Sequence, residues 1–158
     1  MVQPVNRIKE MREKAYAPSS EIENKVKQQQ NTEIKEVLIV DDEETLLLSI
    51  DDGLSVYKNY FTLLTATNGM DAVKLLKSKS SIDLVITDLS MPKMDGFELL
   101  TYIKRNFPHI PVILMTAYGT PKIESIVETM GIFSYLEKPL DINIIADNIF
   151  AALHINHP

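Results

Sequence analysis

Residues 84–96 read Leu-Val-Ile-Thr-Asp-Leu-Ser-Met-Pro-Lys-Met-Asp-Gly. Leu84-Val85-Ile86-Thr87 is a short, β-branched run of the kind that forms a strand covered on both faces, and it stops at a carboxylate, Asp88. Pro92 and Asp95-Gly96 then mark a turn, and from Phe97 onward Leu99, Leu100 and Ile103 recur at helical spacing. One strand–turn–helix unit is therefore legible in about twenty residues. The same unit repeats on either side of it. Val37-Leu38-Ile39-Val40, residues 61–65, Val112-Ile113-Leu114-Met115 and residues 132–136 are further apolar runs of four or five residues. Between and after them lie helical patterns: Leu47, Ile50 and Leu54; Ala72, Val73 and Leu76; Ile123, Ile126 and Val127; Ile142, Ile145, Ile149 and Leu153. Five strands alternating with five helices make a doubly wound α/β domain with a five-stranded parallel sheet, because short right-handed crossovers place helices on both faces.

The rest of the chain sets the limits of this domain. Of 158 residues, 45% are hydrophobic and 24% charged, which suits one globular domain plus an appendage. The appendage is the polar extension 1–34, with six basic and five acidic residues and few apolar groups; the domain is expected over 35–155. Within the extension Ile8, Met11 and Ala15, then Ile22 and Val26, allow two short amphipathic helices interrupted near Pro18, as a linker or a partner-binding element. The net charge of −6 argues against direct nucleic-acid binding. The chain has no cysteine, which excludes thiolate metal sites and cysteine nucleophiles, and His109, His154 and His157 do not have ligand spacing. No run approaches the roughly 20 apolar residues of a membrane span, so a cytoplasmic protein with no membrane partner is expected.

In an open parallel sheet the functional crevice lies beyond the carboxyl ends of the strands. The first strand ends in Asp41-Asp42-Glu43-Glu44, the third in Asp88, the fourth in Thr116, and the fifth runs into Lys138-Pro139. Each has a plainer reading alone: Asp41 and Asp42 as acids at a helix start, Asp88 as a turn residue, Thr116 as a loop hydroxyl, Lys138 as a solvated charge. Their coincidence at four strand ends is harder to dismiss. Carboxylates a few ångströms apart resist joint ionisation unless a cation sits among them, and an all-oxygen donor set favours a hard ion such as Mg²⁺, which pairs with phosphate oxygens. The constellation points to phosphoryl chemistry.

These residues lie in motifs, EVLIVDDEE, LVITDLSMPKMDG, VILMTAYG and YLEKPL, whose order and spacing resemble the receiver domain of two-component response regulators across residues 36–153. The resemblance implies a flavodoxin-like strand order 2-1-3-4-5. It implies that Asp88 accepts a phosphoryl group from a phosphohistidine and that Mg²⁺ is bound by Asp41, Asp42, Asp88 and the Ser90 main-chain carbonyl. By the same resemblance Thr116 and Lys138 contact the phosphoryl group, Tyr135 is the aromatic switch, and Ser90 and Tyr118 govern how fast water removes the phosphate. The implied partners are a sensor histidine kinase or histidine phosphotransfer protein and a downstream effector protein or domain, with homodimerisation through the fourth helix, fifth strand and fifth helix. The domain would promote only its own phosphorylation and dephosphorylation and would not otherwise be an enzyme. A phosphorelay shuttle and an interaction-only receiver stay open as alternatives. A haloacid-dehalogenase-like phosphohydrolase fits less well, because neither Asp41-Asp42-Glu43 nor Asp88-Leu89-Ser90 has the Asp-x-Asp spacing. Ile144, Phe150 and Ile155, beyond the core stripe of the last helix, are expected to form an exposed binding face.

Overall fold

Strand β1 (Lys35–Val40) buries its last four residues completely, with Val37 and Ile39 facing one helical layer and Leu38 and Val40 the other. That two-sided burial is what a continuous apolar run predicts for a strand inside a parallel sheet. The computed structural model describes residues 33–117 and 121–158, so the expected extension 1–34 and Tyr118 lie outside the described residues, apart from Glu33 and Ile34. After β1 come α1 (Glu44–Leu54), a short 3₁₀ turn (Ser55–Tyr57), β2 (Phe61–Ala66), α2 (Gly69–Ser78), β3 (Ile82–Asp88), α3 (Gly96–Asn106), β4 (Val112–Thr116), α4 (Pro121–Met130), β5 (Ser134–Glu137) and α5 (Ile142–Ala152). The strands are all parallel in the order β2-β1-β3-β4-β5. The doubly wound sheet with order 2-1-3-4-5 is therefore what the sequence reading anticipates.

Each helix lays its apolar stripe on the sheet. On one face Leu47, Ile50 and Leu54 of α1 and Ile145, Ala146 and Ile149 of α5 cover Val37, Ile39, Leu84, Ile86, Ile113 and Met115. On the other, Ala72 and Leu76 of α2, Leu99, Leu100 and Ile103 of α3, and Ile123 of α4 cover Leu38, Val40, Val85, Val112 and Leu114. Full burial of one such aliphatic side chain is worth about 1.5–3 kcal/mol, and these two layers supply most of the driving force. Helix starts are set by side chains that accept the first free N–H groups: Asn68 takes Asp71, Asp141 takes Asn143 and Ile144, and Asp95 with Glu98 forms a reciprocal capping box at α3.

Two expectations need correction. The fifth strand begins at Ser134 rather than Ile132, because Gly131 ends α4 with φ 61° and Ile132 drops into the core as a turn residue while Phe133 is left exposed. The binding face expected on α5 also shrinks to Ile144, which is 53% exposed; Phe150 is only 2% exposed. The reason lies outside the helix. Phe150 meets Tyr57, Tyr60 and Phe61 edge-on with ring centroids 5.3, 5.4 and 5.7 Å away, an arrangement brought together by the 3₁₀ turn and β2. Ile155 packs half-buried on the same cluster.

The chain turns back after α5 through a two-bond stop: Ile155 N–H to the Phe150 carbonyl at 3.1 Å and His154 N–H to the Ala151 carbonyl at 3.2 Å. His154 occupies the turn position at φ 54°, where a side chain is strained. His154→Gly is expected to stabilise the fold by about 0.5–1 kcal/mol, the relief of the strain less the entropy glycine adds to the unfolded chain. Equilibrium urea unfolding checks this, and an unchanged or lower midpoint at equal slope rejects it.

Candidate phosphoryl site

Strand order reverses between β1 and β3, the connection from β1 running to one side and that from β3 to the other, and a crevice opens beyond their carboxyl ends. Asp41, immediately after β1, is fully buried; Asp88, the last residue of β3, is almost so; Asp42 is exposed at the rim. Each offers a carboxylate oxygen, and the three oxygens lie within 4.8 Å of one another. Lys138, just past β5, reaches back across the sheet so that Nζ stands 2.8 Å from Asp41 Oδ2 and 3.0 Å from Asp88 Oδ1. The other oxygens are also occupied. Asp41 Oδ1 accepts the Glu43 N–H at 2.9 Å and Asp88 Oδ2 accepts the Ser90 N–H at 3.1 Å.

Backbone pairing fixes these ends in place. Leu89 N–H donates to the Met115 carbonyl at 3.1 Å, and Lys138 N–H to the Thr116 carbonyl at 2.8 Å. The Lys138–Pro139 peptide is cis. Parity along the strands sorts the side chains: Asp41 follows Val37 and Ile39, and Asp88 follows Leu84 and Ile86, toward the α1/α5 layer, whereas Thr116 follows Val112 and Leu114 toward the α2–α4 layer. Tyr135 packs, half-buried, in that second layer. Sequence reasoning does not single out Thr87, which is fully buried and donates its hydroxyl to the Asp88 carbonyl at 3.0 Å. A threonine in a β-branched strand carries no signal that distinguishes it from packing.

Burial pushes the Asp88 carboxyl above the ordinary aspartate range, with the Asp41 charge adding to the rise, and the Lys138 and Ser90 hydrogen bonds do not fully offset it. Burial would lower the Lys138 amine, but its bonds to Asp41 and Asp88 outweigh that and hold it above the usual lysine value. One ammonium facing three carboxylates leaves the crevice with an excess of negative charge. The donors are all oxygen, hard and clustered, and one of them is open to solvent. That set fits a Mg²⁺ ion, which takes one or two carboxylates and keeps several waters.

Comparison with known proteins agrees with this geometry. Residues 37–150 match the family described as response regulator receiver domain. The chain is 34% identical over 122 residues to the transcriptional regulatory protein GlrR of Escherichia coli K12, covering 77% of this chain and 27% of that protein. It is 36% identical over 113 residues to the response regulator protein FleR of Pseudomonas aeruginosa, covering 70% and 23%. The chain thus spans about a quarter of the length of these curated relatives. Among solved structures, a response regulator receiver domain protein from Clostridium thermocellum superposes with a TM-score of 0.70 at 32% identity, over 77% of this chain and 95% of that one. The response regulator TrrA of Thermotoga maritima, solved in complex with Mg²⁺ and BeF, gives 0.66 at 28% identity over 76% and 100%. With its parallel sheet in the order 2-1-3-4-5 and its acidic crevice at the switch point, the chain belongs to the receiver domain family of two-component response regulators.

Proposed function

We propose that Asp88 is the phosphoacceptor, taking the phosphoryl group from a phosphohistidine of a sensor histidine kinase or histidine phosphotransfer protein. The observation that carries this reading is the Lys138 ammonium bridging Asp41 and Asp88 beside Asp42. An Asp88 carboxylate oxygen attacks phosphorus, the P–N bond to the donor imidazole breaks, and its electron pair leaves on that nitrogen. Phosphoryl transfer asks the protein mainly for alignment and charge neutralisation. Lys138 is already aimed at an Asp88 oxygen and moves with little rearrangement to the phosphoryl oxygens. Asp41, Asp42, Asp88 and the Ser90 carbonyl would hold Mg²⁺, which supplies further neutralisation of those oxygens.

Thr116 and Tyr135 sit in the layer opposite the carboxylates, which supports a switch that carries the acyl phosphate signal through the sheet. Thr116 moves toward the new acceptor oxygens, and Tyr135 turns into the space behind it. The surface so altered includes a cavity of about 220 Å³ between β5 and α5, lined by Tyr135, Pro139, Leu140 and Ile144. A downstream effector, or a second copy through α4, β5 and α5, would be read there. Beside the acidic rim, Leu48 is exposed on α1 among Thr45, Asp51 and Asp52, a knob suited to a phosphodonor helix. A cytoplasmic location fits these partners, and no described helix is long and apolar enough to cross a membrane.

Acetyl phosphate with Mg²⁺ is expected to add a phosphoryl group to the wild type and none to Asp88→Asn by intact-mass spectrometry. Equal labelling of both overturns the assignment.

The raised Asp88 pKa makes a separate forecast for the metal-free protein. An acid whose folded pKa exceeds its unfolded value, about 3.9, binds more protons when folded, so its contribution to stability is full below that value and is lost as pH rises through the folded pKa. Asp88→Asn should therefore melt above the wild type at pH 7 without Mg²⁺, and the gap should close toward pH 3. A lower melting point for the variant at pH 7 would show that the ion pair with Lys138 outweighs burial. Lys138, raised as well, contributes stability below about pH 10.5 that is lost above its folded pKa.

A further inference from the structure

Gly69, the first residue of α2, lies against the β3–α3 loop with no room between them. A Cβ there would stand 2.7 Å from Met94 Cγ and 2.9 Å from both Met94 Cβ and the Met94 carbonyl oxygen. The last of these is backbone, which cannot swing aside as a side chain can. Met94 closes a three-residue turn, its N–H donating to the Pro92 carbonyl at 2.9 Å around Lys93 at φ 71°. That conformation is costly for any residue with a Cβ, and it persists only where its surroundings hold it.

The same loop leads directly into the carboxylate crevice. Its second residue, Ser90, donates to Asp88, and its end is pinned where Gly96 N–H meets the Leu89 carbonyl at 3.0 Å. A side chain on Gly96 would overlap the Asp88 carbonyl oxygen, so the loop closes on β3 where it ends and on α2 just before that, at Met94. Asp71 of α2 accepts from Lys74 and Asn68, both at 2.8 Å, and these hold its carboxyl below the usual range.

We propose that Gly69 and Met94 are a positioning pair for the phosphoryl site: the bare Cα of Gly69 seats Met94, holds the strained turn at Lys93, and so fixes the loop that presents Ser90 to the acidic cluster. Neither residue touches the reacting atoms. The proposal rests on the reading of Asp88 and Ser90 as phosphoryl and metal site.

The test compares Gly69→Ala and Met94→Ala with Gly53→Ala in the full chain. A Cβ on Gly53 would stand 2.8 Å from Ile142 Cδ1, a similarly short distance but to a side chain rather than backbone, at the α1–α5 contact away from the loop. Two quantities are measured for each: the Mg²⁺ dissociation constant by NMR titration, and hydrogen exchange of residues 90–95 without metal. Supporting residues of metal sites typically change affinity about 10–100-fold. Gly69→Ala should weaken Mg²⁺ binding about tenfold and speed loop exchange, Met94→Ala should do both more mildly, and Gly53→Ala should do neither at a comparable loss of melting temperature. Should Gly69→Ala not fold, Met94→Ala against Gly53→Ala decides. Wild-type affinity and exchange in Met94→Ala, or equal weakening in Gly53→Ala, overturn the proposal. If the wild type binds no Mg²⁺, the metal reading fails, and loop exchange alone then decides the positioning role.

Discussion

Three carboxylates gathered at one pole of a parallel sheet repel one another, and everything else at that pole answers to the repulsion. Lys138 bridges Asp41 and Asp88 from the far side of the sheet, and two backbone N–H groups take the other oxygen of each of these two. Even so, burial keeps the Asp88 carboxyl above its ordinary range. The crevice is thus assembled with its charge incompletely balanced, a condition that a hard cation or a phosphoryl group held by cations relieves. Such an arrangement is costly to the folded state by itself, and two well-packed helical layers are needed to carry it.

The sheet separates the buried carboxylates from Thr116 and Tyr135. Asp41 and Asp88 share their parity with the layer under α1 and α5, whereas Thr116 and Tyr135 belong with α2, α3 and α4. At the strand ends Lys138 and Thr116 are joined through the backbone, the Lys138 N–H donating to the Thr116 carbonyl. Interiors this closely packed repack between discrete arrangements rather than deforming smoothly, which suits a two-state response. A ligand shifts such an equilibrium only by its difference in affinity for the two states; moving it from 1:99 to 99:1 takes about 5.5 kcal/mol.

The loop after β3 shows how much of the site depends on residues with no chemistry of their own. Gly96 allows the chain to close on Asp88, Gly69 allows it to close on α2, and the Asp95–Glu98 capping box sets where α3 begins. A strained Lys93 between them indicates that the loop conformation is imposed by contacts rather than chosen by local preference. GlrR and FleR match this chain over about a quarter of their own length.

Strand and helix periodicity, read residue by residue, suffices for the architecture: VLIV, LVIT and VILM are buried on both faces, and the helical stripes of α1, α2, α3 and α5 cover them. It also anticipates that Asp41, Asp42, Asp88 and Lys138 lie together, because residues that end strands in a parallel sheet share one rim. What one dimension does not contain is distance between elements far apart in the chain. Phe150 reads as a surface residue until Tyr57, Tyr60 and Phe61 close over it, and Thr87 as packing until its hydroxyl is seen on the Asp88 carbonyl. Gly69 carries no signal in the sequence, and its role shows only when Met94 is found against it. Local pattern is set by each residue's own backbone and side chain and is therefore written in the sequence; the Lys138 bridge and these close approaches depend on strand register and crossover packing, which only the folded chain decides.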